Sequence, residues 1–147
     1  MSDAPNASRL KLTAEQLNAF LGRAFPGIDR GPGVVAEVAP GQVRCVLPFN
    51  PLSLRPGGVI SGPTMMSMAD TAAYALVLAH IGEVPMAVTT SLTIHFLRPC
   101  KAGDLTAEAS LLRLGRRIAT CDIRLWTEGP DRIAAQATVA YAIPSEG

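Results

Sequence analysis

Ser61-Gly62-Pro63-Thr64-Met65-Met66-Ser67-Met68-Ala69-Asp70-Thr71-Ala72-Ala73-Tyr74-Ala75-Leu76-Val77-Leu78-Ala79 is the stretch whose reading decides the fold. From Met65 to Ala79 every residue except Ser67, Asp70, Thr71 and Tyr74 is apolar. Pro63 suits the first turn of a helix, where its missing N–H has no partner to lose, and Gly82 supplies a stop. The run therefore predicts a long helix from about Pro63 to His80. A helix apolar on nearly every side is buried, so the rest of the chain must supply a cover for it. A carboxylate in such a helix is costly unless paired, hydrogen-bonded or neutralised. That cost makes Asp70 the first candidate for chemistry.

Outward from this helix, the flanking segments read as strands. On the N-terminal side, 34–39 and 42–49 form a predicted pair around the turn at Pro40-Gly41, and 50–62 is a loop holding Pro51, Pro56, Gly57, Gly58 and Gly62. On the C-terminal side, 87–97 alternates, with Leu92, Ile94 and Phe96 on one face and Ser91, Thr93 and His95 on the other. Strands over 104–114, 117–128 and 132–143 follow, with turns at Gly103, Gly115 and Gly129-Pro130-Asp131. Thr13 with Gln16 reads as a capping box. It opens a short helix with Leu17, Phe20 and Leu21 on one side, ended by Phe25-Pro26-Gly27. Strands joined by short connections pair antiparallel. With one long apolar helix to cover, they predict an α+β fold, a curved antiparallel sheet wrapped around that helix. Residues 1–10 read as a flexible tail and 11–147 as one domain.

The chain has 147 residues, enough for one domain with a real core. It is 48% hydrophobic and only 17% charged, a balance that favours hiding further surface in an oligomer. Thirteen Lys and Arg against twelve Asp and Glu give a net charge of +1, which argues against a nucleic-acid binder. Cys45, Cys100 and Cys121 are odd in number and lack metal-ligand spacing. They read as reduced core residues, and a cytoplasmic location is expected. The N-terminus has no apolar signal core, and the helical run is too short and interrupted to span a membrane. His80 closes the helix, where a cation suits the dipole, and His95 lies in a strand. Two histidines without a cysteine cluster predict no metal site. There is no Walker-type phosphate loop, and no cofactor is expected.

Three stretches together carry a family resemblance. They are Ser61-Gly62-Pro63 followed by Met68-Ala69-Asp70-Thr71-Ala72; Val88-Thr89 leading to Ile94-His95-Phe96-Leu97-Arg98-Pro99; and Leu114-Gly115-Arg116-Arg117 followed by the closing strand. In this order and spacing the chain resembles the hotdog-fold acyl-CoA thioesterases of the phenylacetate-pathway (PaaI-like) family. One departure stands out. Ser61-Gly62-Pro63 occupies the place of the family's His-Gly-Gly, which marks a divergent subgroup, and Pro63 has no N–H to give.

The resemblance implies a site. Asp70 would be the nucleophile, forming a mixed anhydride, or the general base that activates water. Gly62 would polarise the thioester carbonyl through its backbone N–H at a helix N-terminus. Ser61 either orients the carbonyl or water, or simply caps the helix. Arg55 either reaches Asp70 across a subunit interface, holds an acidic substrate group, or is a solvated loop residue. Tyr74, one turn after Asp70, is a substrate contact or a core tyrosine. Arg116 and Arg117 would meet the phosphates of coenzyme A, or decorate a turn. If Asp70 is instead structural, its partners would be Tyr74, Ser67 or a loop amide. The small residues Ala69, Ala72 and Ala73 and the methionines Met65, Met66 and Met68 suggest an adaptable acyl pocket.

The family pairs sheets edge to edge and builds its site from two subunits, so a homodimer or a dimer of dimers is expected. The apolar strand at 89–97 would be hazardous as a lone edge. The implied activity is acyl-CoA hydrolysis. The alternatives are a non-catalytic acyl-CoA binder of the same fold and a hotdog hydratase or dehydratase. The latter lacks support, because no histidine lies in the loop or early helix.

Overall fold

Thr13 begins the first ordered element as its capping box predicts. Its Oγ1 accepts from the Gln16 N–H at 3.2 Å, and its own N–H donates to Gln16 Oε1 at 2.9 Å. The helix that follows, α1 (Ala14–Ala24), buries Leu17, Phe20 and Leu21. The structure, a computed structural model, describes residues 6–26 and 33–145. Gly27 of the predicted stop, residues 1–5 of the predicted tail and the last two residues lie outside that range. Just after the predicted tail, the Lys11 and Leu12 N–H groups donate to the Ala79 carbonyl at 2.7 and 3.2 Å.

The predicted strand pair is present as β1 (Val34–Ala39) and β2 (Gln42–Leu47). The segment read as plain loop contains a 3-10 turn at Pro51–Ser53 and a short hairpin of β3 (Leu54–Arg55) and β4 (Val59–Ile60). This hairpin pins the entry to the long helix. The Ile60 N–H donates to Cys100 O, and the Ser61 N–H donates to Ser53 O, both at 2.8 Å. The long helix, α2 (Gly62–Ile81), starts one residue before the predicted position, with Ser61 as its N-cap. It ends at Gly82, whose φ of 93° favours glycine.

Four strands complete the chain: β5 (Val88–Phe96), β6 (Leu105–Leu114), β7 (Ile118–Trp126) and β8 (Ala135–Ala142). The last is shorter than the sequence reading, because the turn at 129–131 continues until the Ala134 N–H reaches Leu125 O. Six strands form one antiparallel sheet in the order β1-β2-β6-β7-β8-β5. α2 touches all six, and its residues from Ala72 to His80 are buried without a break. The two edges of the sheet differ. At β1, the Asn18 side-chain amide from α1 pairs with both Val35 backbone groups, at 2.8 and 2.9 Å, so a helix blocks that edge. At β5 no further strand pairs among the described residues, and most of its residues are exposed.

His80 is not the surface cation expected from its place in the sequence. It is buried, with Nδ1 2.9 Å from Leu76 O and Nε2 accepting the Gly41 N–H at 2.9 Å. That pattern requires a proton on Nδ1 only, the neutral tautomer. It ties the β1–β2 turn to the end of α2. Cys45, Cys100 and Cys121 are free and buried, as a reduced core requires. Among the described residues, no helix is long and apolar enough to cross a membrane, and no group of three or more potential ligands is placed to hold a metal ion.

Candidate functional site

Asp70 sits midway along α2, half-buried, where the helix passes the open edge of the sheet. Among the described residues its partners are not Tyr74, Ser67 or a loop amide. Thr89 Oγ1, at the start of β5, donates to Asp70 Oδ1 at 2.6 Å. Tyr141 Oη, near the end of β8, donates to the same oxygen at 2.7 Å and lies 3.1 Å from the Asp70 carbonyl. Pairing brings these donors together, since Thr89 lies opposite Tyr141 and Tyr141 opposite Ala119. Among the described residues no cation pairs with Asp70 and no donor meets Oδ2. Among the described residues the carboxylate is thus held by two neutral hydroxyls, both on Oδ1.

Tyr141 is almost fully buried, and burial, reinforced by the nearby Asp70 charge, pushes its hydroxyl well above the usual tyrosine range. Tyr74 stacks on the Tyr141 ring with centroids 5.8 Å apart, and its own hydroxyl donates to Pro85 O at 3.1 Å. The Phe20 and Phe25 rings also pack against Tyr74, with centroids at 6.2 and 6.4 Å. Tyr74 thus supports the site as an aromatic wall, with its polar end committed elsewhere.

The second predicted group, Gly62, opens α2. Three features of the first turn isolate its N–H. Ser61 Oγ takes the Thr64 N–H at 3.3 Å, Ser61 O takes the Met65 N–H at 3.2 Å, and Pro63 has no N–H. The Gly62 N–H alone has no acceptor among the described residues, so the helix end presents one free donor with the dipole behind it. Beside it, a side chain added at Gly62 would meet the Phe96 ring at 3.3 Å. Ser61 itself is committed as a cap, its hydroxyl 2.8 Å from that of Thr64.

The remaining predicted residues are more dispersed. Arg55 is exposed on the β3–β4 hairpin and donates to its neighbour's carbonyl, Pro56 O, at 3.2 Å. Arg116 and Arg117 are exposed at the β6–β7 turn. That turn lies just beyond the row Leu114, Ala119, Tyr141 and Thr89, at the Asp70 end of the sheet. Arg117 is about 7 Å along the strand from Ala119. The small helix residues Ala69, Ala72 and Ala73, with Met65 and Met68, are core packing rather than a pocket lining, because all five are buried. Only Met66 of the suggested pocket residues is exposed.

Gly62 and Asp70 are eight residues apart on one helix, about 12 Å along its axis. A reacting carbonyl needs both a donor and a carboxylate about 3 Å away. One copy of the chain cannot bring its own pair to one carbonyl.

Residues 57–134 match the family described as the thioesterase superfamily. This span includes both Gly62 and Asp70 but ends before Tyr141. The chain is similar to the crystal structure of a candidate thioesterase from Silicibacter sp. TM1040, with 39% identity over 95% of this chain and 96% of that one and a TM-score of 0.84. It is also similar to a candidate thioesterase from Ralstonia eutropha JMP134, described as phenylacetic acid degradation-related. There the identity is 28%, the coverage 76% and 84%, and the TM-score 0.70. A candidate esterase of Saccharolobus solfataricus is 28% identical over 136 residues, 92% of this chain and 82% of its own. The α+β hotdog architecture expected from the sequence agrees with these structures.

Proposed function

The chain belongs to the thioesterase superfamily, and on that premise we propose that it hydrolyses an acyl-CoA thioester to a carboxylate and free coenzyme A. The observation that carries this proposal is the half-buried Asp70 carboxylate, which among the described residues is unpaired with any cation and receives two hydroxyl donors on Oδ1 and none on Oδ2. An ion pair would make it less basic and less nucleophilic, whereas two neutral donors fix it without neutralising it.

Two routes use this group. In the first, Asp70 takes a proton from water as the water oxygen attacks the carbonyl carbon; the C–S bond breaks and the thiolate takes up the proton. In the second, Asp70 Oδ2 attacks directly, the thiolate leaves, and water opens the mixed anhydride. Both develop negative charge on the carbonyl oxygen, where the free Gly62 N–H would be placed to receive it. The separation of about 12 Å along α2 supports a site that pairs Asp70 of one protomer with Gly62 of another. The open β5 edge is the natural seam for that dimer. Arg116 and Arg117, at the Asp70 end of the sheet, suit the coenzyme A phosphates as exposed planar cations. Arg55, exposed on its hairpin, is free to serve an acidic group or a facing subunit.

Thiol release from a panel of acetyl-, hexanoyl- and benzoyl-CoA tests the activity directly. Asp70→Asn should lower kcat by about 10²- to 10⁴-fold with the fold intact. Acyl-CoA binding without thiol release would favour the non-catalytic binder, and hydration of an enoyl-CoA without thiol release would favour the hydratase.

A further inference from the structure

Tyr141 plays no part in the two-group scheme of acid and oxyanion donor, yet it makes the longest-range contact with the acid, across 71 residues of chain. We propose that Tyr141 is a positioning residue that, together with Thr89, anchors Asp70 Oδ1 and thereby makes Oδ2 the only reacting oxygen. This inference rests on the assignment of Asp70 as the acid of the thioesterase reaction.

The geometry carries it in three steps. First, a carboxylate has two chemically equivalent oxygens, and rotation about its last bond exchanges them. Here both hydroxyl donors converge on Oδ1, at 2.6 and 2.7 Å, while Oδ2 receives none among the described residues. The equivalence is broken by protein contacts alone. Second, the two donors differ in what holds them. Thr89 is exposed on the open edge strand, while Tyr141 is buried in β8, a strand paired on both sides. The Tyr141 ring is also fixed by stacking on Tyr74, itself packed against Phe20 and Phe25 of the α1 region. Tyr141 is therefore the rigid donor of the two. Third, its hydroxyl also lies 3.1 Å from the Asp70 backbone carbonyl. The same atom therefore references the side chain to the helix that carries it. Among the described residues the groups facing Asp70 are Thr89 from β5 and Tyr141 from β8, with Tyr74 of α2 behind Tyr141. None carries a charge at neutral pH.

Tyr141→Phe keeps the ring and its stacking and removes only the donor. The expected result is a fall in kcat of about tenfold with KM for hexanoyl-CoA changed less than twofold. The acidic limb of the kcat/KM profile should also move to higher pH, because the ionised carboxylate loses one of its two donors. Placing 3-fluorotyrosine at position 141 preserves the shape and strengthens the donor, and should move the same limb to lower pH. This second variant decides the matter if the phenylalanine variant fails to fold. An unmoved limb in both variants, with Asp70→Asn inactive, overturns the role of Tyr141 and leaves that of Asp70 standing. Full activity in Asp70→Asn overturns both.

Discussion

Asp70 keeps a carboxylate in an apolar helix because two hydroxyls from other elements solvate one of its oxygens. Gly62 keeps a free N–H because the cap and a proline account for the rest of the first turn. Substitutions at Gly62 separate donor from space. Gly62→Ala leaves the N–H and crowds Phe96, whereas Gly62→Pro removes the N–H at a position where proline costs a helix little. In thiol-release kinetics Gly62→Pro should lose about 3 kcal/mol of transition-state stabilisation, and Gly62→Ala much less. Equal losses in the two would assign Gly62 to packing only. Burial also governs the alkaline limit of stability. Cys45 and Cys121 are pushed up to about 12, and burial raises Tyr141 further above its usual range. In the unfolded chain the thiols ionise near 9 and the phenol near 10. The unfolded state therefore releases protons that the folded state retains, and stability falls as pH rises from about 9. Thermal unfolding between pH 8 and 11 should show a declining Tm, with a shallower decline in Tyr141→Phe. The native thiols should stay unmodified by a thiol reagent until the protein unfolds.

At the scale of elements, α2 was legible because its signals are local. An unbroken apolar run, a proline at the start and a glycine at the stop lie within about twenty residues of one another. The strands were legible for the same reason, through alternation and turns. The partners of Asp70 were not. Thr89 is a threonine in a β-rich stretch and Tyr141 an aromatic residue in a closing strand. Only the pairing of β5 with β8 brings them together, and register is not written in either strand alone. His80 misled for the opposite reason. Its position at a helix end suggested a cation, but the β1–β2 turn folds over it and supplies a donor that only a neutral imidazole can accept. Ser61 shows a residue whose structural job is fully specified locally. Ser61→Ala should cost about 1 kcal/mol of stability, measured by urea unfolding. Its effect on kcat should be small, because the hydroxyl is committed to Thr64 rather than turned toward substrate.

At the scale of the molecule, the two sheet edges are treated differently. Asn18 closes β1 with a side-chain amide, and β5 is left open with Asp70 and Thr89 beside it. An open, partly apolar edge is a place for a second copy. The distance along α2 calls for one as well, since Gly62 and Asp70 of one chain are about 12 Å apart. The proposed catalytic unit is therefore a pair of protomers, each lending its helix start to the other's acid. Mixing two inactive variants, Asp70→Asn and Gly62→Pro, and re-forming dimers tests this most directly. Each mixed dimer of a two-fold pair holds one site with both native groups. Random pairing should therefore restore thiol release to about a quarter of the native rate. Mixtures no more active than either variant alone would contradict a site shared between two copies.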